Sequence, residues 1–151
     1  MEKLLILTVF MLIALSGCVN NIGEKTQDVN EVKVENVLLG TLWELQSFGP
    51  IGTEKKVLPD TKVTLQFALD DRITGVGGCN HYSASYKIGA DNALSIGSMS
   101  STLMYCERTM EQEQQYFNAL RNASAFDLDQ NRLQLFYNDG QGVLIFGISK
   151  G

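Results

Sequence analysis

The sequence predicts an α+β domain in which a curled antiparallel β-sheet, a roll or partial barrel, packs against one α-helix. Residues 38–151 number about 114, the usual size of one domain with its own hydrophobic core. Most of this stretch places apolar side chains at every second position, which is typical of strands with one buried face. A single segment follows a helical period instead.

The first half of the domain is predicted as strands. Residues 41–48 and residues 62–69 both alternate apolar and polar side chains, and an Asp-Asp turn follows the second of them. Residues 71–88 continue in extended form after that turn. The glycines of the GVGG segment, residues 75–78, indicate a β-bulge or a close approach of two backbones.

The second half is predicted as strands with one helix between them. Residues 93–99 form a short strand after a GADN turn. Residues 131–137 and residues 142–148 form two final strands, because the NDGQ segment between them is a strong hairpin signal.

The predicted helix covers residues 110–122. The Glu and Gln side chains are predicted to face solvent, and Thr109 and Gln112 have the spacing of a capping box. The apolar stripe that we expect to face the sheet consists of Met110, Tyr116, Phe117 and Leu120.

Residues 1–17 are predicted as a lipoprotein signal peptide. Their apolar run is too short to span a bilayer, which needs about 20 residues, and small residues follow it as in a secretory signal. The segment LSGC, which ends at Cys18, resembles the lipobox of bacterial lipoproteins, and this implies cleavage before Cys18 and diacylglycerol on its thiol. Acyl chains contribute roughly 0.8 kcal/mol per buried CH₂ group to membrane binding. The alternative is an ordinary cleaved signal in which Cys18 is incidental.

Residues 18–37 are predicted as the lipidated cysteine and a flexible tether. They mix polar and charged residues without a sustained period, so they bury too little apolar surface to offset the entropy of ordering them. A flexible coil of this length has an r.m.s. span of roughly 25 Å. An alternative is an edge strand over residues 31–37, where Val32 and Val34 alternate with charged residues.

The sequence has three cysteines, an odd number, so one thiol is left without a disulfide partner unless one cysteine is modified. If Cys18 carries lipid, Cys79 and Cys106 remain as a pair, and exported compartments favour disulfides. Closing the loop between them contributes roughly 3–4 kcal/mol in the chain-entropy model. Two alternatives keep the thiols free: Cys79 and His81 as a nucleophile and its base, or a zinc site of Cys79, His81 and Cys106 with Glu107.

The charge balance bears on partners. Lys and Arg number 12 against 17 Asp and Glu, for a net charge of −5, whereas a nucleic-acid-binding domain needs a basic face. We therefore expect no nucleic-acid partner. We also expect no cofactor, no metal and a monomeric chain.

Several motifs follow one another along residues 38–148. LLGTLWELQSF comes first, then GVGGCNHYSASY, then STLMYC, then a Glu-rich helix and two final strands. This order resembles the META domain of the HslJ-like lipoprotein family. One departure is Ala84 of this chain, which stands where the family usually has glycine. The family patterns GCNxYxGxY and TxMxC are matched at Gly78, Cys79, Asn80, Tyr82, Tyr86, Thr102, Met104 and Cys106.

The resemblance implies a twisted antiparallel sheet with a helix, in envelope lipoproteins often linked to stress and without established enzymatic activity. We therefore expect a membrane-anchored lipoprotein whose non-catalytic domain, residues 38–151, binds an envelope protein or a small ligand during envelope or heat stress. In a diderm bacterium we expect it on the outer membrane facing the periplasm, and otherwise on the cell membrane facing outward. The alternative function is an enzyme or metal-binding protein that uses Cys79, His81 and Cys106.

Overall fold

The computed structural model describes residues 37–150, in which nine strands form one sheet and one long helix packs against it. The predicted signal peptide, Cys18 and the tether up to residue 36 lie outside the described residues. No helix within residues 37–150 is long and apolar enough to cross a membrane. The elements are β1 (Leu42–Pro50), β2 (Lys55–Lys56), β3 (Thr64–Phe67), β4 (Arg72–Val76), β5 (His81–Ile88), β6 (Leu94–Ser101), α1 (Met110–Arg121), β7 (Ala123–Asp129), β8 (Arg132–Tyr137) and β9 (Gly142–Ile148).

The sheet is antiparallel throughout its named strand pairs and has the order β6-β5-β4-β3-β1-β9-β8-β7, with the short β2 paired to β1. The strands at the two ends of this order approach each other, because Ala93 beside β6 forms a bridge with Ala125 of β7. The sheet is therefore curled into a nearly closed barrel. This confirms the predicted α+β class.

The sheet has two ends with different roles. At one end β4, β6 and β8 finish and β5, β7 and β9 begin, and α1 connects β6 to β7 there; we call this the helix end. At the other, the terminal end, the described chain enters at Val37 and leaves after Ser149, whose backbone N–H donates to the carbonyl of Leu42. Both termini of the domain thus lie opposite the helix end.

The core lies between the concave face of the sheet and α1. In β1, Trp43 and Leu45 face inward as the period-two pattern predicts. A register shift between Leu45 and Ser47 then changes which positions face inward, so that Phe48 is also buried. The largest fully buried side chains are Trp43, Tyr116, Phe67 and Phe146.

Two strands were not predicted from the pattern. In β7 a register shift between Ala123 and Ala125 breaks the alternation, so Ala123 and Phe126 are both buried although they are three positions apart. The strand β2 contains only two exposed lysines and has no apolar side to detect. The extended segment 71–88 is in fact two strands, because the chain reverses between Val76 and His81.

The predicted helix is present, but three details of the prediction are wrong. Met110, expected on the stripe that faces the sheet, is 37% exposed. Thr109 does not cap it, because its backbone is already helical and its hydroxyl donates to the carbonyl of Cys106. Gln112 and Glu113 do not face solvent but are buried. Gln112 accepts a hydrogen bond from the backbone N–H of Leu58, so it joins the helix to the loop before β3.

Candidate functional site: a groove between the sheet edge and the helix

The glycine-rich turn between β4 and β5 lies against its neighbours with no room for side chains. A Cβ atom on Gly75 would lie 2.0 Å from the carbonyl oxygen of Thr64, and one on Gly77 would lie 2.6 Å from the ring of Phe117. The close backbone approach predicted from GVGG is therefore confirmed. It brings the turn against the side of α1.

A disulfide joins this turn to the segment that precedes the helix. Cys79 and Cys106 are bonded, with their Cα atoms 6.0 Å apart, as the cysteine count predicted. Cys79 lies in the turn, not on a regular strand, and its sulfur is engaged, whereas His81 is exposed at the start of β5. Both cysteines of the described residues 37–150 are in this bond, so that part of the chain supplies no free thiol for a nucleophile and base pair. No group of three or more metal-ligating side chains occurs within residues 37–150.

Asn80 is the centre of a buried hydrogen-bond network. Its side-chain Nδ2 donates to the carbonyl of Met104 at 3.1 Å and to Oε1 of Glu113 at 2.7 Å. Its Oδ1 accepts from the hydroxyl of Thr102 and from the backbone N–H of Met104, both at 2.7 Å. An asparagine side chain has two donors and one carbonyl oxygen with two lone pairs, so every position is used. Asn80 therefore fixes the segment after β6 to the turn.

Glu113 completes the network from the helix. Its Oε2 accepts from the backbone N–H groups of Cys79, at 3.0 Å, and Asn80, at 2.6 Å, so the carboxylate caps the turn. The prediction assigned this residue to solvent from its charge. Its position gave a usable signal, since Glu113 lies four residues before Phe117 and seven before Leu120, on the buried face of the helix.

The motif tyrosines hold the sheet to the helix inside the core. Tyr82 donates from its hydroxyl to the carbonyl of Thr64 at 2.8 Å, and the Tyr116 hydroxyl lies 2.6 Å from it. Since the Tyr82 proton is already used, Tyr116 is the donor in that contact. Burial raises the pKa of both phenols, for Tyr82 with a further rise from the neighbouring Tyr116. Tyr86 donates to the carbonyl of Ala68 at the terminal end.

Ala84, the departure from the family pattern, is buried in β5 opposite Met99 of β6. The methyl group fits there. A register shift in the pairing of β5 with β6 follows immediately, between Ala84 and Tyr86.

A groove of about 610 Å³ opens on the helix end next to this network, and we call it the edge groove. One wall is the segment Ser101 to Tyr105, which follows β6 in the chain. The other wall is a stripe of α1 at helical spacing, and Asn80 and Glu113 contribute to its floor. The stripe consists of Met110, Gln114, Phe117 and Arg121.

The edge groove carries exposed apolar side chains. Leu103 is 95% exposed and Tyr105 is 79% exposed, and Met104 and Met110 beside them are also exposed. The motif residues predicted as a site are thus mostly buried in the network, and what they support is this surface. Leu103 and Tyr105, the two most exposed large apolar residues of the wall, occupy unspecified positions of the TxMxC pattern, so sequence reasoning missed them.

The curled sheet, the single helix and the disulfide-linked turn define a small α+β domain built around a structural motif. A family model of the META domain matches residues 36–150, and the chain belongs to that family. No curated protein matched the chain.

Solved structures share the fold. An NMR structure of a protein from Burkholderia xenovorans is 26% identical, with a TM-score of 0.66, over 79% of this chain and 88% of that one. A crystal structure of a DUF4847 family protein from Bacteroides vulgatus is 16% identical, with a TM-score of 0.59, over 78% of this chain and 99% of that one. The second likeness, at this identity, shows the fold alone.

Proposed function

We propose that this protein is a membrane-anchored lipoprotein of the cell envelope whose META domain is a non-catalytic binding module that acts in envelope or heat stress. The observation that carries the proposal is the arrangement at the helix end. Within residues 37–150 the histidine has no free thiol beside it, because Cys79 is bonded to Cys106. The buried groups hold in place a groove that carries exposed apolar side chains among polar ones. Such a groove is suited to binding and not to nucleophilic catalysis.

The anchoring part of the proposal rests on the sequence before residue 37. The segment LSGC places Cys18 where a lipobox cysteine stands, and the polar residues after it suit a tether. The domain receives that tether at the terminal end. The edge groove lies at the opposite end of the domain, so the attachment of the tether leaves it accessible to other envelope molecules.

The anchoring is tested on the mature N-terminus. In cells grown with labelled palmitate, we expect the wild-type chain to incorporate label and to begin at an acylated Cys18 in mass spectrometry. The Cys18→Ala variant is expected to lose the label and the membrane association. Cys79→Ser is the matched control, because it removes a cysteine that lies in the domain and is expected to keep the label. An unmodified Cys18 in the wild-type protein would overturn the anchoring.

A further inference from the structure

The wall of the edge groove is an open strand edge. On one side the segment after β6 is bonded to the turn region, since Thr102 donates its backbone N–H to His81 and Met104 bonds Asn80. Alternate residues of an extended chain point their backbone groups to opposite edges. Leu103 and Tyr105 therefore direct theirs away from the sheet, and within residues 37–150 no hydrogen bond engages them.

The strand that leads into this wall also has an unpaired edge. Within residues 37–150 no strand pairs with the other edge of β6, which approaches β7 through the bridge of Ala93 with Ala125 and lies beside α1. Proteins usually protect such edges with charged residues or proline. The β6 residues Leu94–Ser101, LSIGSMSS, contain neither.

The helix wall supplies what a bound segment would contact. Met110 is exposed and offers apolar surface, and the mostly buried ring of Phe117 lies in the same wall. Glu111 and Arg121 also line the groove near the two ends of α1, where Glu111 accepts a hydrogen bond from Gln115 and Arg121 donates one to Asn118. Glu111 and Arg121 are ten positions apart on the helix, a distance of about 15 Å along the axis. An extended segment of five residues spans about 17 Å, so its two ends can meet opposite charges.

We propose that the edge groove binds an extended segment of a partner protein, which adds as a further strand beside Ser101 to Tyr105. The segment has apolar side chains at alternate positions, with a basic residue near Glu111 and an acidic one near Arg121. Backbone bonds to Leu103 and Tyr105 provide affinity, and contacts with the helix wall provide specificity. The inference deepens the proposed binding function by naming the ligand class.

The chain's own tether does not fit this role. It enters at the terminal end, and β1 alone spans about 30 Å between the two ends. The valines nearest the domain, Val32 and Val34, are too close to Val37 to reach that far. The residues that could reach, NIGEKTQD over residues 21–28, are polar and lack the alternation.

The test uses the full mature chain in nanodiscs. A display library of random linear dodecapeptides is selected against it, and the enriched peptides are synthesised with a fluorescent label for anisotropy titration. We expect alternating apolar residues flanked by opposite charges. The double variant Leu103→Ser/Tyr105→Ser is expected to weaken binding about 10-fold or more. Leu69→Ser is the matched control, since Leu69 is 88% exposed at the terminal end, and we expect it to bind as the wild type does.

Two further measurements identify strand addition. N-methylation removes a backbone N–H donor of the peptide. At the alternate residues whose N–H groups face Leu103 and Tyr105 it is expected to abolish binding, and at the residues between them it is expected to leave binding unchanged. In amide hydrogen exchange, the bound peptide is expected to protect the N–H groups of Leu103 and Tyr105. Insensitivity to N-methylation on both edges, or equal loss of binding in the Leu69 control, would overturn the proposal.

Other occupants give distinct results. If the Leu103 and Tyr105 amides are already protected in nanodiscs and become free in detergent, the wall contacts the bilayer and the proposal is wrong. If sedimentation shows a dimer that the double variant abolishes, the occupant is a second copy and the proposal is wrong. If the wild-type protein from cells carries no lipid on Cys18 but still selects peptides at this groove, the anchoring is overturned and the peptide proposal stands, so the two failures are distinguishable.

Discussion

Asn80 shows how one side chain can determine the position of a whole segment. Its four side-chain hydrogen bonds reach Thr102, Met104 and Glu113, and all of these lie in buried or partly buried surroundings. A buried polar group without its partner costs roughly 1–3 kcal/mol, so such a network favours a single arrangement. The network thereby gives the asparagine of the family pattern a structural role.

Replacing Asn80 by Asp tests this network. The new carboxylate cannot donate to Met104, and it would face the carboxylate of Glu113 in a buried site. We expect the free energy of unfolding at pH 7 to fall by on the order of 3 kcal/mol, measured by urea denaturation. The same change at exposed Asn92 is the control, with an expected effect within about 0.5 kcal/mol. Equal stability of the two variants would contradict the network.

At the scale of elements, the glycine-rich turn, the segment 102–109 and α1 form one unit. The disulfide joins the turn to the segment, and Glu113 joins the turn to the helix. None of these links is local in sequence, since Cys79 and Cys106 are 27 residues apart. The wall of the edge groove therefore depends on contacts between residues that are far apart in sequence.

The double variant Cys79→Ser/Cys106→Ser removes the covalent link. We expect it to lose roughly 3–4 kcal/mol of stability, because the unfolded chain regains the entropy that the closed loop withholds. Faster amide exchange is expected over residues 102–109. Dithiothreitol is the control: it is expected to lower the wild-type urea midpoint to that of the variant and to leave the variant unchanged. A variant with the wild-type midpoint would argue against a stabilising disulfide.

At the scale of the whole molecule, a curled sheet encloses its core and one helix fills the open side. Tyr116 of α1 is fully buried against Tyr82 of β5, so the two layers meet through a pair of phenols. Burial raises the pKa of both. A group whose pKa is higher in the folded state contributes stability that is present below its unfolded pKa and is lost as the pH rises above it.

This pair predicts alkaline destabilisation. Above about pH 10, each tyrosine ionises in the unfolded chain but stays neutral in the folded one, so stability falls by up to about 1.4 kcal/mol per pH unit for each. We expect urea midpoints between pH 8 and pH 11 to decrease less steeply in Tyr82→Phe/Tyr116→Phe than in the wild type. Tyr105→Phe, at an exposed site, is expected to keep the wild-type slope. Identical slopes in all three proteins would contradict the prediction.

Much of the fold could be predicted because its signals are local. The alternation in β1 and β3, the NDGQ hairpin and the helical stripe each depend on neighbours within a few residues. The two strands that were missed lack such a signal, since β7 contains a register shift and β2 only two residues. The predicted capping box does not form, because the Thr109 hydroxyl donates to the carbonyl of Cys106 and the Gln112 side chain accepts from the backbone N–H of Leu58.

The sequence by itself determined the fold class and the position of the helix, and it offered the pair of Cys79 with Cys106 for the case in which Cys18 carries lipid. Only the tertiary structure decided that Glu113 is buried beneath the turn and that Leu103 and Tyr105 form an open edge opposite the helix. The physical reason is that alternation and cysteine parity can be counted along the chain. Which groups a buried carboxylate bonds, and which backbone edge stays unpaired, depend on elements that are distant in sequence and come together only in the folded sheet.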